Sequence, residues 1–140
     1  DFPGDCECAA RFTLDGYSVD ICEDEGGLCR CLLTTNSTLI HCSFDSNESG
    51  DGAFFDNIDA TILSEGANYS SESSSSASLS LNVENESYFG TGSGWAMHFL
   101  QYDGAGGVAS GTFTATVGDE AGTGAWDITD GQFYAPIVAE

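Results

Sequence analysis

The chain contains no lysine, and its only basic residues, Arg11 and Arg30, face 23 acidic residues in a total of 140. The formal net charge is -21. A nucleic-acid interface needs a basic patch that neutralises phosphates, so nucleic acid is excluded as a partner. The same charge repels an anionic membrane leaflet. With so few cations, intramolecular ion pairs contribute little to folding.

Long apolar runs are also absent, since none reaches the roughly 20 residues needed to cross a bilayer. We therefore expect no direct membrane insertion. There is no nucleophile elbow, phosphate loop or dinucleotide fingerprint. Carboxylate pairs such as Asp56 and Asp59 arise easily in so acidic a chain, and a small sandwich rarely offers the cleft that a glycosidase needs. We predict that the protein is not an enzyme, with a small secreted hydrolase as the weakest alternative.

All the cysteines lie in the first 42 residues, and none follows. Two C-x-C pairs place cysteines on common faces of extended segments, from which they could join neighbouring strands. This spacing favours disulfides over a structural zinc site, and no required cofactor is expected. Three disulfides would use all six residues, but the spacing leaves their connectivity open. The predicted disulfide residues are Cys6, Cys8, Cys22, Cys29, Cys31 and Cys42.

Four of the six asparagines lie in Asn-x-Ser/Thr sites. Together with the even cysteine count, they predict an exported glycoprotein that carries N-linked glycans and works outside the cell or at its surface. A chain that starts at Asp1 without Met is what a processed secreted protein would look like. The predicted glycosylation sites are Asn36, Asn47, Asn68 and Asn85.

One acidic segment has the spacing of a calcium loop. Calcium takes several hard oxygen ligands, which alternate positions around a glycine-permitted bend can supply. The predicted ligands are Asp45, Asn47, Ser49, Asp51 and Asp56. The alternative is a solvated acidic hairpin loop, because the flanks read as β, the twelfth position is Asp, and Asn47 would serve both as ligand and as glycan anchor. His41 and His98 are expected to be packed or exposed rather than to bind metal.

The apolar pattern alternates as in short strands and shows no helical period. With regular spacing and abundant glycine, it predicts an all-β fold: a β-sandwich of jelly-roll or Ig-like Greek-key type with a disulfide-rich N-terminal β module. The module would span 1–43 and the sandwich 44–140, unless both form one continuous fold. Breaks are predicted at 90–94, 104–107 and 118–119.

The strongest hairpin signal is Asp130-Gly131, which would join two antiparallel strands. The serine tract at 70–80 is expected to be ordered by pairing within the sheet, in preference to glycans or a neighbouring subunit. Exposed aromatics could form a stacking platform for sugar rings, although their spacing favours a sandwich core. These aromatics are Trp95, Phe99, Tyr102, Trp126, Phe133 and Tyr134.

The segment SGTFTATVGDEAGTGAWDITDGQFYAPIV, residues 110–138, resembles the closing strands of secreted bacterial β-sandwich surface proteins of the pilin or adhesin kind. In those proteins a G-T-F strand is followed by an I-T-D-G hairpin. The resemblance implies a β-sandwich fold and a location at the cell surface.

These features lead to two functional hypotheses. The first is a structural subunit of an extracellular glycosylated fibre or surface assembly, whose partners are copies of itself in a homopolymer. Contacts would run head to tail, with the first few residues or the C-terminal QFYAPIVAE as candidate donor strands. Because the acidic subunits repel one another, cations must screen their charge in the assembly, and chelators or low salt should weaken it. The rival explanation of the acidity is adaptation to a saline habitat. The second is a monomeric secreted module that binds carbohydrate or protein, with or without calcium.

Overall fold

The computed structural model describes residues 6, 8–23, 29–46, 50–73, 76–119, 121 and 124–140, with the backbone alone at 91–93. Within them lie one short 3₁₀ turn, Ala60–Ile62, and ten strands, so the all-β prediction is confirmed. The strands are β1 (Cys8–Leu14), β2 (Tyr17–Glu23), β3 (Cys29–Leu33), β4 (Leu39–Asp45), β5 (Gly52–Asp59), β6 (Asn68–Ser70), β7 (Ser78–Val83), β8 (Glu86–Tyr102), β9 (Val108–Asp119) and β10 (Ala125–Ala139).

The strands form one sheet that closes on itself. The hydrogen-bonded path runs β10-β3-β4-β5-β7-β8-β9 and returns to β10. Every pairing is antiparallel except β10 with β3, which is parallel. The hairpin of β1 and β2 extends this circuit from β10, and β6 extends it from β8. A closed path leaves few strand edges exposed.

Two long strands make the closure possible, because each pairs with different neighbours along one edge. β8 pairs with β7 near its start and with β6 near its end. β10 pairs with β1 through 128–134 and with β3 through 137–139. Strands from the predicted N-terminal module thus lie in the same sheet as strands from the predicted sandwich, and both contribute to one core.

Aromatic rings fill the interior. The ring of Phe55 on β5 lies 5.1 Å from that of Phe113 on β9 and 6.3 Å from that of Phe133 on β10. β5 is not a hydrogen-bonded neighbour of β9 or β10, so these contacts cross the interior and pack two walls of the sheet together, as in a sandwich. Along β10, Ile128, Phe133 and Ala135 are buried, and Trp126 packs against the core.

The predicted hairpin at Asp130-Gly131 is wrong, because both flanking segments belong to the single strand β10. Asp130 has φ 56°, and the register against β9 shifts between Ile128 and Gly131. A β-bulge needs the same left-handed backbone as a tight turn, so Asp-Gly suits either. The neighbours decide between them: β10 pairs with β9 along one edge and β1 along the other, and this holds the chain straight.

The break predicted at 90–94 is also absent, because β8 continues through it with a register shift against β9. The turn at 104–107 is present. Gly118 and Asp119 are the last two residues of β9 and still pair with β10 and β8, so the break predicted at 118–119 falls within the strand. Asp15 and Gly16, both at positive φ, form a two-residue turn between β1 and β2. Glu84 and Asn85 form an equivalent turn between β7 and β8 that sequence analysis did not identify.

The serine tract contributes both ends to the sheet, as predicted. Ser70 ends β6 and pairs with Ala96, whereas Ser78 and Ser80 lie in β7 and pair with β5. Residues 74–75 lie outside the described part of the chain. In the segments that the structure describes, no helix has the length and apolar character needed to span a membrane.

Candidate functional site

The six cysteines form three disulfides, Cys6–Cys22, Cys8–Cys29 and Cys31–Cys42. Cys31 and Cys42 lie opposite each other in the register of β3 and β4. The Cys8–Cys29 bridge joins β1 to β3, which pair with successive parts of the same β10 edge. Cys29 and Cys31 share the buried face of β3, as their spacing predicted. These disulfides indicate an oxidising, extracellular or secretory environment.

Three of the predicted glycosylation sites lie at exposed positions, and the fourth, Asn47, lies outside the described residues. Asn36 occupies the turn between β3 and β4, where its Oδ1 accepts hydrogen bonds from Thr34 and Thr38. Asn85 lies in the turn between β7 and β8. Asn68 begins β6, and its Oδ1 lies 2.7 Å from Nδ1 of His98. Glycan occupancy stays a prediction.

The predicted calcium ligands do not all lie in one loop. β4 ends at Asp45 and β5 begins at Gly52, so Asp56 lies within a strand, four residues beyond Gly52. At about 3.3 Å per residue, this places Asp56 about 13 Å along β5. Asp51 is only 6% exposed and accepts a hydrogen bond from the Glu84 N–H at 3.1 Å.

Asn47 and Ser49 lie outside the described part of the chain, so calcium binding at Asp45 and Asp51 stays a prediction. Elsewhere within that part, no group of three or more His, Cys, Asp or Glu side chains converges as a metal site would require. Asp56 lies 3.4 Å from Nδ1 of His41, which also accepts a hydrogen bond from the Asn57 N–H.

Acidic residues in the loop before β5 and in the β7-β8 turn change the pKa of Tyr17. The negative charge of Asp51 raises the pKa of the Tyr17 phenol, and burial and Glu84 raise it further. Tyr17 begins β2, directly after the turn at Asp15 and Gly16. The β1-β2 turn, the loop before β5 and the β7-β8 turn therefore meet at one end of the molecule.

A shallow groove of about 210 Å³ runs across β6, β8 and β9. Its polar lining includes Asn68, His98 and Thr112, which occupy one register row. The row continues across the neighbouring strands: Thr112 lies opposite Gln132 on β10, and Gln132 lies opposite Arg11 on β1. Arg11 in turn lies opposite Asp20 on β2, where the row ends. One six-stranded part of the sheet therefore presents a polar outer face bounded by β6 at one side and by β2 at the other.

The aromatic platform proposed from the sequence is not formed, because most of its members point into the core. Trp95, Phe99 and Phe133 are buried, and Tyr102 and Trp126 pack against them. Two other phenylalanines, Phe54 and Phe89, point outward on the opposite wall of the sheet. Sequence analysis missed them, although a signal was present: each lies beside a second aromatic in a strand, and adjacent strand residues face opposite sides.

The outer edge of β2 is not paired with any strand that the structure describes. Leu14 and Tyr17 flank the two-residue turn, where the Tyr17 N–H faces the Leu14 carbonyl. In an antiparallel pair the N–H and C=O groups of every second residue point at the partner strand, so those of Tyr17, Val19 and Ile21 point at β1. Ser18, Asp20 and Cys22 therefore direct theirs outward. The Arg11 guanidinium lies 3.8 Å from the Asp20 carboxylate, and the two side chains are 43% and 64% exposed.

No known protein family, curated protein or solved structure matches the chain. The resemblance of residues 110–138 to pilin-like and adhesin-like surface proteins therefore stays a prediction.

Proposed function

We propose that the protein is a structural subunit of an extracellular, glycosylated assembly, in which subunits join head to tail through the edges of their sheets. The observation that carries the proposal is that, among the residues the structure describes, no strand pairs with the outer edge of β2. An unpaired strand edge presents backbone donors and acceptors that can bind a strand of another chain. The disulfides and the exposed Asn-x-Ser/Thr sites are consistent with work outside the cell.

The second half of the contact is β6 of the next copy. β2 and β6 bound the same six-stranded part of the sheet, so their pairing would continue that part from one subunit to the next. Contact between two different surfaces generates an open filament whenever the rotation does not close. Pairing β2 with a second β2 around Asp20 would instead place two carboxylates opposite each other, which is unfavourable.

Edge pairing replaces the donor-strand contact expected for the C-terminus. Residues 132–139 belong to β10, whose two edges pair with β9 and with β1 and β3. Removing them would delete a central strand and unfold the subunit. The first five residues lie outside the described part of the chain, so their role as a donor strand stays a prediction.

The test is the size of the native glycosylated protein, measured by light scattering and electron microscopy. We expect long regular particles, weakened by chelators and by low salt because the subunits carry a charge of -21. Asp20→Pro removes an outward N–H while leaving the bonds to β1, and should shift the particles to monomers. Asp20→Asn is the matched control, since it keeps the N–H and should assemble at least as well.

Two results would overturn the proposal. One is a native protein that stays monomeric at all salt and protein concentrations. The other is an Asp20→Pro variant that folds and forms the same particles.

A further inference from the structure

The two outward phenylalanines are not needed by the core. Phe55 and Tyr88, their neighbours in sequence, fill the inner side: Phe55 is 0% exposed, and Tyr88 packs edge-on against Trp126 at 5.4 Å. Phe89 is nevertheless 43% exposed, and Phe54 is half-buried on the same outer face. Exposed aromatic side chains that share one face indicate a contact surface.

The register places the two rings in one row. Phe54 on β5 lies opposite Ser80 on β7, which lies opposite Phe89 on β8. Two strand spacings separate the phenylalanines, about 10 Å. Ser80 between them is short, so no large side chain rises between the rings. A Cβ on Gly52 would lie 2.9 Å from the Phe54 ring, so glycine there lets that ring lie close against β5.

The groups around this row donate and accept hydrogen bonds, and three of them are charged: Arg30 in the row itself, and Asp45 and Asp56 on the same outer face of β4 and β5. Ser43 and Arg30 continue the row onto β4 and β3. Beside it, the Ser87 hydroxyl donates to Oδ1 of Asn82 at 3.1 Å. On a chain of charge -21, a face that sets hydroxyl, amide and carboxylate groups beside two phenyl rings is suited to an uncharged ligand whose own hydroxyls donate hydrogen bonds.

We infer that the Phe54–Ser80–Phe89 row is a binding site for an uncharged oligosaccharide at least two rings long. Sugar rings present C–H groups that pack on the negative face of an aromatic ring, and their hydroxyls pair with serine and amide groups. A polyanion would be repelled by the protein, and so would the same face of a second copy. The inference does not depend on the proposed assembly, because the row lies away from β2 and β6.

The test is calorimetric titration of the intact, disulfide-bonded protein with cellohexaose, chitohexaose and maltohexaose, with light scattering on the same samples. We expect at least one of these sugars to bind. Phe89→Ala should weaken that binding at least tenfold, whereas Phe89→Tyr should retain it. Leu100→Ala is the matched control, because it removes an apolar side chain that is 56% exposed elsewhere on β8. Ser80→Glu, which places a carboxylate between the rings, should also abolish binding without touching the core.

The inference is overturned if none of the three sugars binds at millimolar concentration. It is equally overturned if Phe89→Ala and Ser80→Glu bind as the native protein does, or if Leu100→Ala loses as much affinity as Phe89→Ala. Loss of particle size in Phe89→Ala without any sugar binding would identify the face as a contact between copies and reject the sugar site.

Discussion

The strands near the N-terminus and those near the C-terminus are held by different means. β1, β2 and β3 are linked by disulfides, and Phe12 is the only aromatic ring that these three strands bury. β8, β9 and β10 contain no cysteine and are held by a network of aromatic rings centred on Phe113 and Phe133. Phe12 on β1 connects the two regions, because its ring lies 5.9 Å from that of Phe113 on β9.

The difference shows how a small domain compensates for limited core volume. Segments with few buried aromatic rings bury less apolar area, and covalent links also restrict their unfolded state. Segments with large aromatics gain enough from burial and ring contacts to need no such links. Substitutions in the two regions should therefore differ in size and in their dependence on oxidation.

The largest effect is expected from Phe133→Ala, which leaves a cavity among four other rings. We expect a loss of about 3–5 kcal/mol in the free energy of unfolding, since large-to-small changes in a packed core cost about that much. Urea unfolding under oxidising conditions measures it. Leu100→Ala is the exposed control and should cost far less. A loss below about 1 kcal/mol for Phe133→Ala would contradict the central role of the aromatic network.

A smaller loss is expected when the Cys31–Cys42 disulfide is removed by replacing both residues with alanine. The bridge closes a loop with a sequence separation of 11, and the chain-entropy relation gives about 3 kcal/mol for such a loop. The same urea experiment checks this value. Addition of a reductant should destabilise the native protein further, because it also opens the other two bridges. Unchanged stability in the double variant would show that β3 and β4 need no covalent link.

A still smaller effect is expected at the β10 bulge. Asp130 has φ 56°, a conformation that costs a β-branched residue about 1–2 kcal/mol. Asp130→Val should therefore be destabilising by about that amount, and Asp130→Gly should be neutral or stabilising. Thr129→Val, at the neighbouring exposed strand position, is the control. If thermal unfolding ranks valine above glycine at position 130, the bulge is not formed as described.

The smallest effect concerns alkaline pH. Burial raises the pKa of the Tyr102 phenol, and burial followed by the Glu86 contact raises that of Tyr88. The folded protein therefore holds these protons more tightly than the unfolded chain. The resulting stability is fully present below the ordinary tyrosine value of about 10 and is lost as pH rises through the folded value. Tyr102→Phe should reduce the loss of melting temperature above pH 10, and an identical pH dependence in both proteins would contradict this.

Much of the fold was predictable because strand residues alternate between two environments. The inward positions of Trp95, Met97 and Phe99 followed from period-two spacing, and so did the shared face of Cys29 and Cys31. The candidate site was less predictable. Phe54 and Phe89 come into one row only because β7 separates β5 from β8, and that neighbour relation depends on the whole sheet.

The sequence by itself determined the all-β class, the oxidising environment and the absence of a basic surface, because these depend on composition and on local periodicity. The tertiary structure alone decided which cysteines pair, where β8 and β10 continue, and which of the described strands lie at the ends of the hydrogen-bonded order. Glycine and aspartate at positive φ suit a turn and a bulge equally well, so the choice between them falls to strands that are distant in sequence. β1 and β9 straighten β10 in this way, and the closed path that results leaves β2 at an edge.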